Sequence, residues 1–233
     1  MFANRSSAGR RLSRRLQHLR HERPVVLALP RGGVPIAFEI AEDLDAPLDL
    51  VLVRKIGVPW QPELALGAVV DGPHPQVLIN HELAADLAIE ESYITSETAR
   101  QVEEIERRRK IYLGDREPVP LAGRTVIVVD DGIATGSTAR TALRAVRTAG
   151  AAKTVLAVPV APADTIEELR REVDEIVCLS CPRPFVAVGA HYAEFAQLAD
   201  ADVVTLLEKR RRALTQAAGR EEGPREPADP NDA

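Results

Sequence analysis

One stretch limits the possible folds more than any other: Val126-Ile-Val-Val-Asp-Asp-Gly-Ile-Ala-Thr-Gly-Ser-Thr138. Val126, Ile127, Val128 and Val129 are β-branched and apolar without alternation, the pattern of a strand buried on both faces. Two acids follow where that strand ends. A turn of small residues, Ala134 to Thr138, then opens into a helix expected over 138–149. On that helix Ala139, Ala142, Leu143, Val146 and Ala149 form one face and Arg140, Arg144 and Arg147 the other, with Gly150 closing it. A buried strand feeding a helix through a tight turn is the unit of which open α/β sheets are built.

The same rhythm recurs along the chain. Apolar runs at 25–29, 50–53, 126–129, 154–158 and 175–179 alternate with helix-length amphipathic stretches. The expected fold is therefore α/β, an open, mostly parallel twisted sheet with helices on both faces. Asp164 followed by Glu167 suggests a capping box for the helix after the fourth run. Residues 80–112 break the pattern: they are charged, with a thin apolar stripe of Ile94, Val102, Ile105 and Tyr112. They read as a largely solvated helical insertion between the second and third core strands.

The first 23 residues are rich in arginine, with Leu12, Leu16 and Leu19 at helical spacing. An amphipathic surface helix capped by Ser6 or Ser7 accounts for them, against the alternatives of a transit peptide or a nucleic-acid arm. Residues 217–233, rich in Gly, Pro, Ala and charge, read as a disordered tail, leaving 1–216 as one domain. A chain of 233 residues, 45% hydrophobic, can bury one sizeable core. Its net charge of −5 argues against nucleic acid as a partner. No apolar run approaches the roughly 18 residues of a membrane span. The opening lacks a secretory signal's apolar segment, and two cysteines cannot make a disulfide scaffold, so a cytoplasmic setting is expected.

The chemistry gathers after Val129. A helix N-terminus offers unpaired N–H groups and partial positive charge, so a phosphate fits the turn Ala134–Thr138. Gly136 lets the backbone approach an anion, and Thr135, Ser137 and Thr138 add hydroxyl donors. Asp130 and Asp131 would repel a phosphate beside them unless they face vicinal sugar hydroxyls, where a divalent cation would further stabilise the pair. Together these features describe a ribose 5-phosphate site. The lysine of a P-loop and the glycines of a dinucleotide fingerprint are both missing. The plain alternative is an ordinary capped turn.

This stretch resembles the phosphoribosyl-pyrophosphate (PRPP) motif of the type I phosphoribosyltransferases. The resemblance implies that Asp130 and Asp131 hold the ribose hydroxyls, with any metal contact indirect, and that Ala134, Thr135, Gly136, Ser137 and Thr138 wrap the 5-phosphate. It also implies PRPP and a small nucleobase-like acceptor as substrates, Mg2+ as cofactor, a homodimer, and a place in purine or pyrimidine salvage. The opening Phe2-Ala-Asn-Arg-Ser-Ser-Ala-Gly9, the turn Leu29-Pro-Arg-Gly-Gly-Val-Pro35 and the stretch Tyr192-Ala-Glu-Phe195 are similar to a bacterial group within that family whose acceptor is not established.

Arg31, Gly32 and Gly33 offer a cation and exposed amides, or else a plain glycine-rich turn; the resemblance makes them the pyrophosphate loop, a place for a cis non-proline peptide. Arg54 and Lys55 are expected at the end of the second strand. The resemblance gives them a diphosphate contact, Lys55 foremost, leading into a mobile flap over 57–72 that contains Trp60 and Glu63. Lys55, Arg31 and Asp131 are thus the candidate catalytic residues. Ala134 stands where the hypoxanthine–guanine branch has an aspartate, which disfavours a 6-oxopurine acceptor. Cys178 and Cys181 form a lone C-x-x-C that reads as structural. Phe185, His191, Tyr192 and Phe195 are either core or a hood over a planar acceptor, spanning about 183–212 together with the N-terminal helix. Phosphoribosyl transfer leads, with a non-catalytic PRPP or nucleotide sensor and a phosphohydrolase as alternatives.

Overall fold

The computed structural model describes residues 1–71 and 75–221. Its central sheet has five parallel strands in the order β2-β1-β6-β7-β8. These are β1 (Val25–Ala28), β2 (Leu48–Leu50), β6 (Thr125–Val129), β7 (Lys153–Val160) and β8 (Glu175–Ser180). Between β2 and β6 lies a second, antiparallel sheet of β3 (Val53–Val58), β4 (Gln61–Val70) and β5 (Gln76–Ile79).

The unbroken apolar runs are explained by a core on each side of the main sheet. Ile127 and Val129 of β6 join a cluster with Leu12, Leu16, Ile36 and Ile40, which come from α1 (Arg5–Leu16) and α2 (Gly33–Asp43). Val126 and Val128 face the other way, into a cluster with Ala139, Leu143 and Val146 of α5 (Ser137–Thr148) and Ile166 and Leu169 of α6 (Ala163–Leu169). Successive strand residues alternate between faces, so both faces must be apolar. On α5 the expected face is buried except for Ala149, and Ala145 joins it.

The expected second strand, 50–53, divides in two. The chain stays beside β1 through Val51, whose N–H donates to the Ala28 carbonyl (3.0 Å), then leaves to begin β3. From Val53 the strand reads Val-Arg-Lys-Ile-Gly-Val; its adjacent charges, Arg54 and Lys55, cannot both be buried, which is why it leaves the core sheet. Arg54 and Lys55 therefore sit within β3, and the segment expected as a flap is largely strand β4. Gly72, its last residue, lies outside the described residues.

The insertion is helical as expected: α3 (His81–Asp86) and α4 (Glu91–Leu113). It is less solvated than its charge suggests, because Ile94, Gln101, Ile105, Tyr112 and Leu113 are buried. The cap of α1 is Asn4, not Ser6 or Ser7. Asn4 Oδ1 accepts from the Ser7 N–H (2.9 Å) while Ser7 Oγ accepts from the Asn4 N–H (3.1 Å). Asp164 lies inside the first turn of α6 and caps nothing; Pro162 precedes that helix. Helix α7 (Asp200–Glu221) continues past residue 217, and the expected tail from 222 onward lies outside the described residues. Among the described residues, no helix is long and apolar enough to cross a membrane.

Candidate functional site

At the carboxyl end of β6, Asp130 and Asp131 face a cleft of about 490 Å³ whose other walls include Arg5, Arg31, Gly32 and Phe195. The Asp131 N–H donates to Asp130 Oδ1 (2.8 Å), and Arg5 Nε–H donates to Asp131 Oδ2 (2.9 Å). Burial, and then the neighbouring Asp131 charge, pushes the Asp130 carboxyl well above the usual carboxylate range. Burial also raises Asp131, against the opposing pull of Arg5. Such a pair is stabilised by hydroxyl donors or by a cation. Carboxylate oxygens are the hard donors magnesium prefers. Among the described residues no group of three or more His, Cys, Asp or Glu could hold a metal ion alone. The residues thus fit a magnesium ion held indirectly, through substrate hydroxyls or water, rather than one ligated by the protein alone.

The loop between β1 and α2 is pressed against this pair. The Leu29 N–H donates to the Val129 carbonyl (2.9 Å), and the Pro30–Arg31 peptide is cis. A Cβ on Gly33 would meet the Val129 carbonyl oxygen at 2.5 Å, so only glycine fits there. The Gly33 N–H is already committed to the Leu29 carbonyl (3.0 Å), which makes close packing, not a free amide, the reason for this glycine. Arg31 Nη1 lies 3.7 Å from Asp200 Oδ1, which also accepts from the Tyr112 hydroxyl (2.6 Å). Burial and that carboxylate push the Tyr112 hydroxyl up to about 12.

The turn at the start of α5 has Gly136 in the left-handed region (φ 76°) as the residue before the helix. The Thr165 hydroxyl donates to the Ala134 carbonyl (2.9 Å), fixing the turn from α6. The first N–H groups of α5 have no intrahelical acceptor. Thr135 lies in this turn, and Ser137 and Thr138 open the helix. This turn follows Asp131 and Gly33 follows Gly32 in the chain, but neither is among the residues lining the cleft.

Arg54 and Lys55 are elsewhere. Arg54 Nε donates to Gln101 Oε1 (3.0 Å) on α4, in a polar hollow with Arg100, Glu104 and Arg107. Lys55 is exposed on β3, opposite Ala68. Neither lines the cleft.

The late aromatic residues pack on one another and on the N-terminus. Phe2, Tyr192 and Phe195 form a chain with ring centroids 5.4 and 5.0 Å apart, while Phe185 stacks on His191 at 5.5 Å. The Tyr192 hydroxyl donates to the Asp131 carbonyl. Arg5 lies over the Phe195 ring (3.8 Å) and donates to the Ala196 carbonyl (2.9 Å). Sequence reasoning missed Arg5 and Tyr192 as neighbours of the acid pair. The signal available was the Phe2–Gly9 stretch itself, but nothing local joins Arg5 to Asp131 across 126 positions. Cys178 and Cys181 are not joined by a disulfide; their sulfurs lie 3.7 Å apart, and burial pushes the Cys178 thiol up to about 12.

Comparison with known proteins adds three findings. Residues 5–194 match the family model described as a phosphoribosyl transferase domain. A protein of Mycobacterium tuberculosis, strain H37Rv, named "Putative phosphoribosyl transferase", is 43% identical over 217 residues, or 93% of this chain. The match covers 48% of that protein, so the chain spans about half the length of the curated relatives it matches. The crystal structure of TT1426 from Thermus thermophilus superposes with a TM-score of 0.79 at 42% identity, over 90% of this chain and 98% of that one.

Proposed function

Because the chain belongs to the phosphoribosyl transferase domain family, we propose that it transfers 5-phosphoribose from PRPP to a nitrogen of a small nucleobase-like acceptor, with magnesium and release of pyrophosphate. The observation that carries this reading is the Asp130–Asp131 pair at the end of β6, opening on a cleft walled by the Arg31–Gly32 loop. In the transfer, the C1–nitrogen bond forms as the C1–oxygen bond to the diphosphate breaks.

Each element has a task in that scheme. Asp130 and Asp131 accept from the ribose hydroxyls and lie near the positive charge that develops at C1. The turn Ala134–Thr138 takes the 5-phosphate with helix N–H groups and the Thr135, Ser137 and Thr138 hydroxyls. Binding energy at that remote phosphate orients the reacting carbon. Arg31 meets the diphosphate, where negative charge grows as the bond breaks. Asp130 and Asp131 would hold magnesium through ribose hydroxyls or water, and the ion would supply charge neutralisation at the departing diphosphate. The test is magnesium-dependent pyrophosphate release across a panel of purines, pyrimidines and amines. Release that requires one acceptor class supports the reading and names the acceptor.

A second reading, a PRPP or nucleotide sensor that does not turn its ligand over, draws on one observation: Lys55 is exposed on β3 and outside the cleft lining. PRPP binding without pyrophosphate release from any acceptor favours it. Phosphate release without an acceptor points instead to a hydrolase.

A further inference from the structure

Arg5 opens α1, yet its side chain leaves the helix to form part of the cleft wall and is only 11% exposed. Three contacts fix it: Nε on Asp131 Oδ2 (2.9 Å), Nη1 on the Ala196 carbonyl (2.9 Å), and the guanidinium over Phe195 (3.8 Å). Its backbone is held as firmly. The Asn4–Ser7 capping box sets the start of the helix. The strap before it pairs with the 191–194 segment: the Phe2 N–H donates to the His191 carbonyl (2.8 Å), Ala193 N–H to the Phe2 carbonyl (2.8 Å), and Glu194 N–H to the Ala3 carbonyl (2.9 Å).

We propose that Arg5 is a positioning residue for the sugar site, fixing the Asp131 carboxylate toward the cleft so that docking of the N-terminal strap sets the affinity for a ribose-bearing ligand. This rests on the phosphoribosyl reading above and extends it to a residue from the opposite end of the domain. A guanidinium fork suits the task because its rigid plane stacks on Phe195 while one edge directs a carboxylate oxygen. Tyr192, donating to the Asp131 carbonyl, steadies the same residue from the backbone side. Both ends of Asp131 are thus gripped by the unit formed by the strap and the 192–196 segment.

The experiment is calorimetric titration of the full chain, with magnesium present, using two probes: PRPP and inorganic pyrophosphate. Arg5→Met should weaken PRPP roughly tenfold, the scale of a lost charged hydrogen bond, while pyrophosphate, which has no sugar for Asp131 to hold, stays within about twofold. Arg5→Lys, which keeps the charge but loses the fork, should fall between Arg5→Met and wild type for PRPP. Unchanged PRPP affinity in Arg5→Met overturns the assignment. So does an equal loss for both probes, which would mark direct anion contact or damage to the fold. Wild-type protein that binds no PRPP overturns the phosphoribosyl reading and this inference with it.

Discussion

A Cβ placed on Gly32 would lie 2.0 Å from Asp131 Oδ2 and 2.4 Å from its Cγ. The carboxylate cannot simply swing aside, because the same oxygen accepts from Arg5 at 2.9 Å. The backbone of one loop and the acid of another therefore occupy adjoining space that only glycine permits. Gly32→Ala should force Asp131 off Arg5 and lower PRPP affinity at least tenfold, at a cost of about 1–3 kcal/mol in stability from overpacking. Titration with PRPP, beside a denaturant melt, checks both. Wild-type affinity in this variant would mean Asp131 does not touch the ligand.

Asp130 and Asp131 gather two acids in a partly dehydrated corner, which raises both carboxyl groups. Groups so placed cost stability, and carboxyl groups raised in this way gather at functional sites. Asp130→Asn combined with Asp131→Asn should abolish PRPP binding while leaving the unfolding midpoint at neutral pH equal to or above that of the wild type. A midpoint that drops by several degrees would show the pair to be structural.

Gly136 combines a left-handed backbone (φ 76°) with a crowded position: an added Cβ would sit 2.9 Å from Thr165 Cγ2 and 3.3 Å from Leu169 Cδ1. The backbone penalty alone is about 1–2 kcal/mol for a residue with a Cβ. Gly136→Ala should destabilise by about that amount and shift the start of α5. Ribose 5-phosphate should then bind more weakly, whereas pyrophosphate affinity should hold. Equal retention of both ligands would separate this turn from the 5-phosphate.

Lys55, expected from the sequence at the mouth of the site, lies exposed on the antiparallel sheet. If transfer draws on it, Lys55→Ala should leave PRPP affinity within about twofold and lower turnover by tenfold or more, the scale of one lost electrostatic group at a transition state. Full turnover in the variant, measured as pyrophosphate release, would remove Lys55 from the mechanism.

Where the sequence is legible, the physics is local. The run Val126–Val129 has to be buried on both faces, and Gly136 has to end a turn, so β6, α5 and the acid pair between them can be placed from their own residues. The strand that carries Arg54 and Lys55 is misplaced from sequence because Val51 and Leu52 continue the apolar run past the point where the chain leaves β1, hiding the break between two sheets. The Arg5–Asp131 pair is hidden for a different cause. It depends on the strap at Phe2 meeting the 191–194 segment, a tertiary pairing that no periodicity encodes. Gly32 and Gly33 suggest exposed amides in the sequence; the Gly33 N–H is committed to the Leu29 carbonyl, and at both positions the neighbouring Val129 and Asp131 atoms leave no room for a Cβ.

The Thr154 N–H and hydroxyl both donate to Asp174 Oδ2 (2.7 and 2.8 Å), ahead of β8, and these bonds hold the Asp174 carboxyl below its usual range. A depressed folded-state pKa means that the unfolded chain takes up the proton more readily. The stabilisation is therefore full above the ordinary carboxylate value of about 3.9 and is lost as pH falls through the folded-state value. Asp174→Asn keeps an acceptor oxygen and removes only the charge. Because the side chain is 46% exposed, solvent screening limits the effect, and a cost of about 0.5–1 kcal/mol at pH 7 is expected. The difference between variant and wild type in urea unfolding should shrink as pH falls below the ordinary carboxylate value and vanish once the folded-state carboxyl is itself protonated, where both side chains are neutral. A difference that stayed constant across that range would assign the stabilisation to shape and hydrogen bonding alone, with no part for the charge.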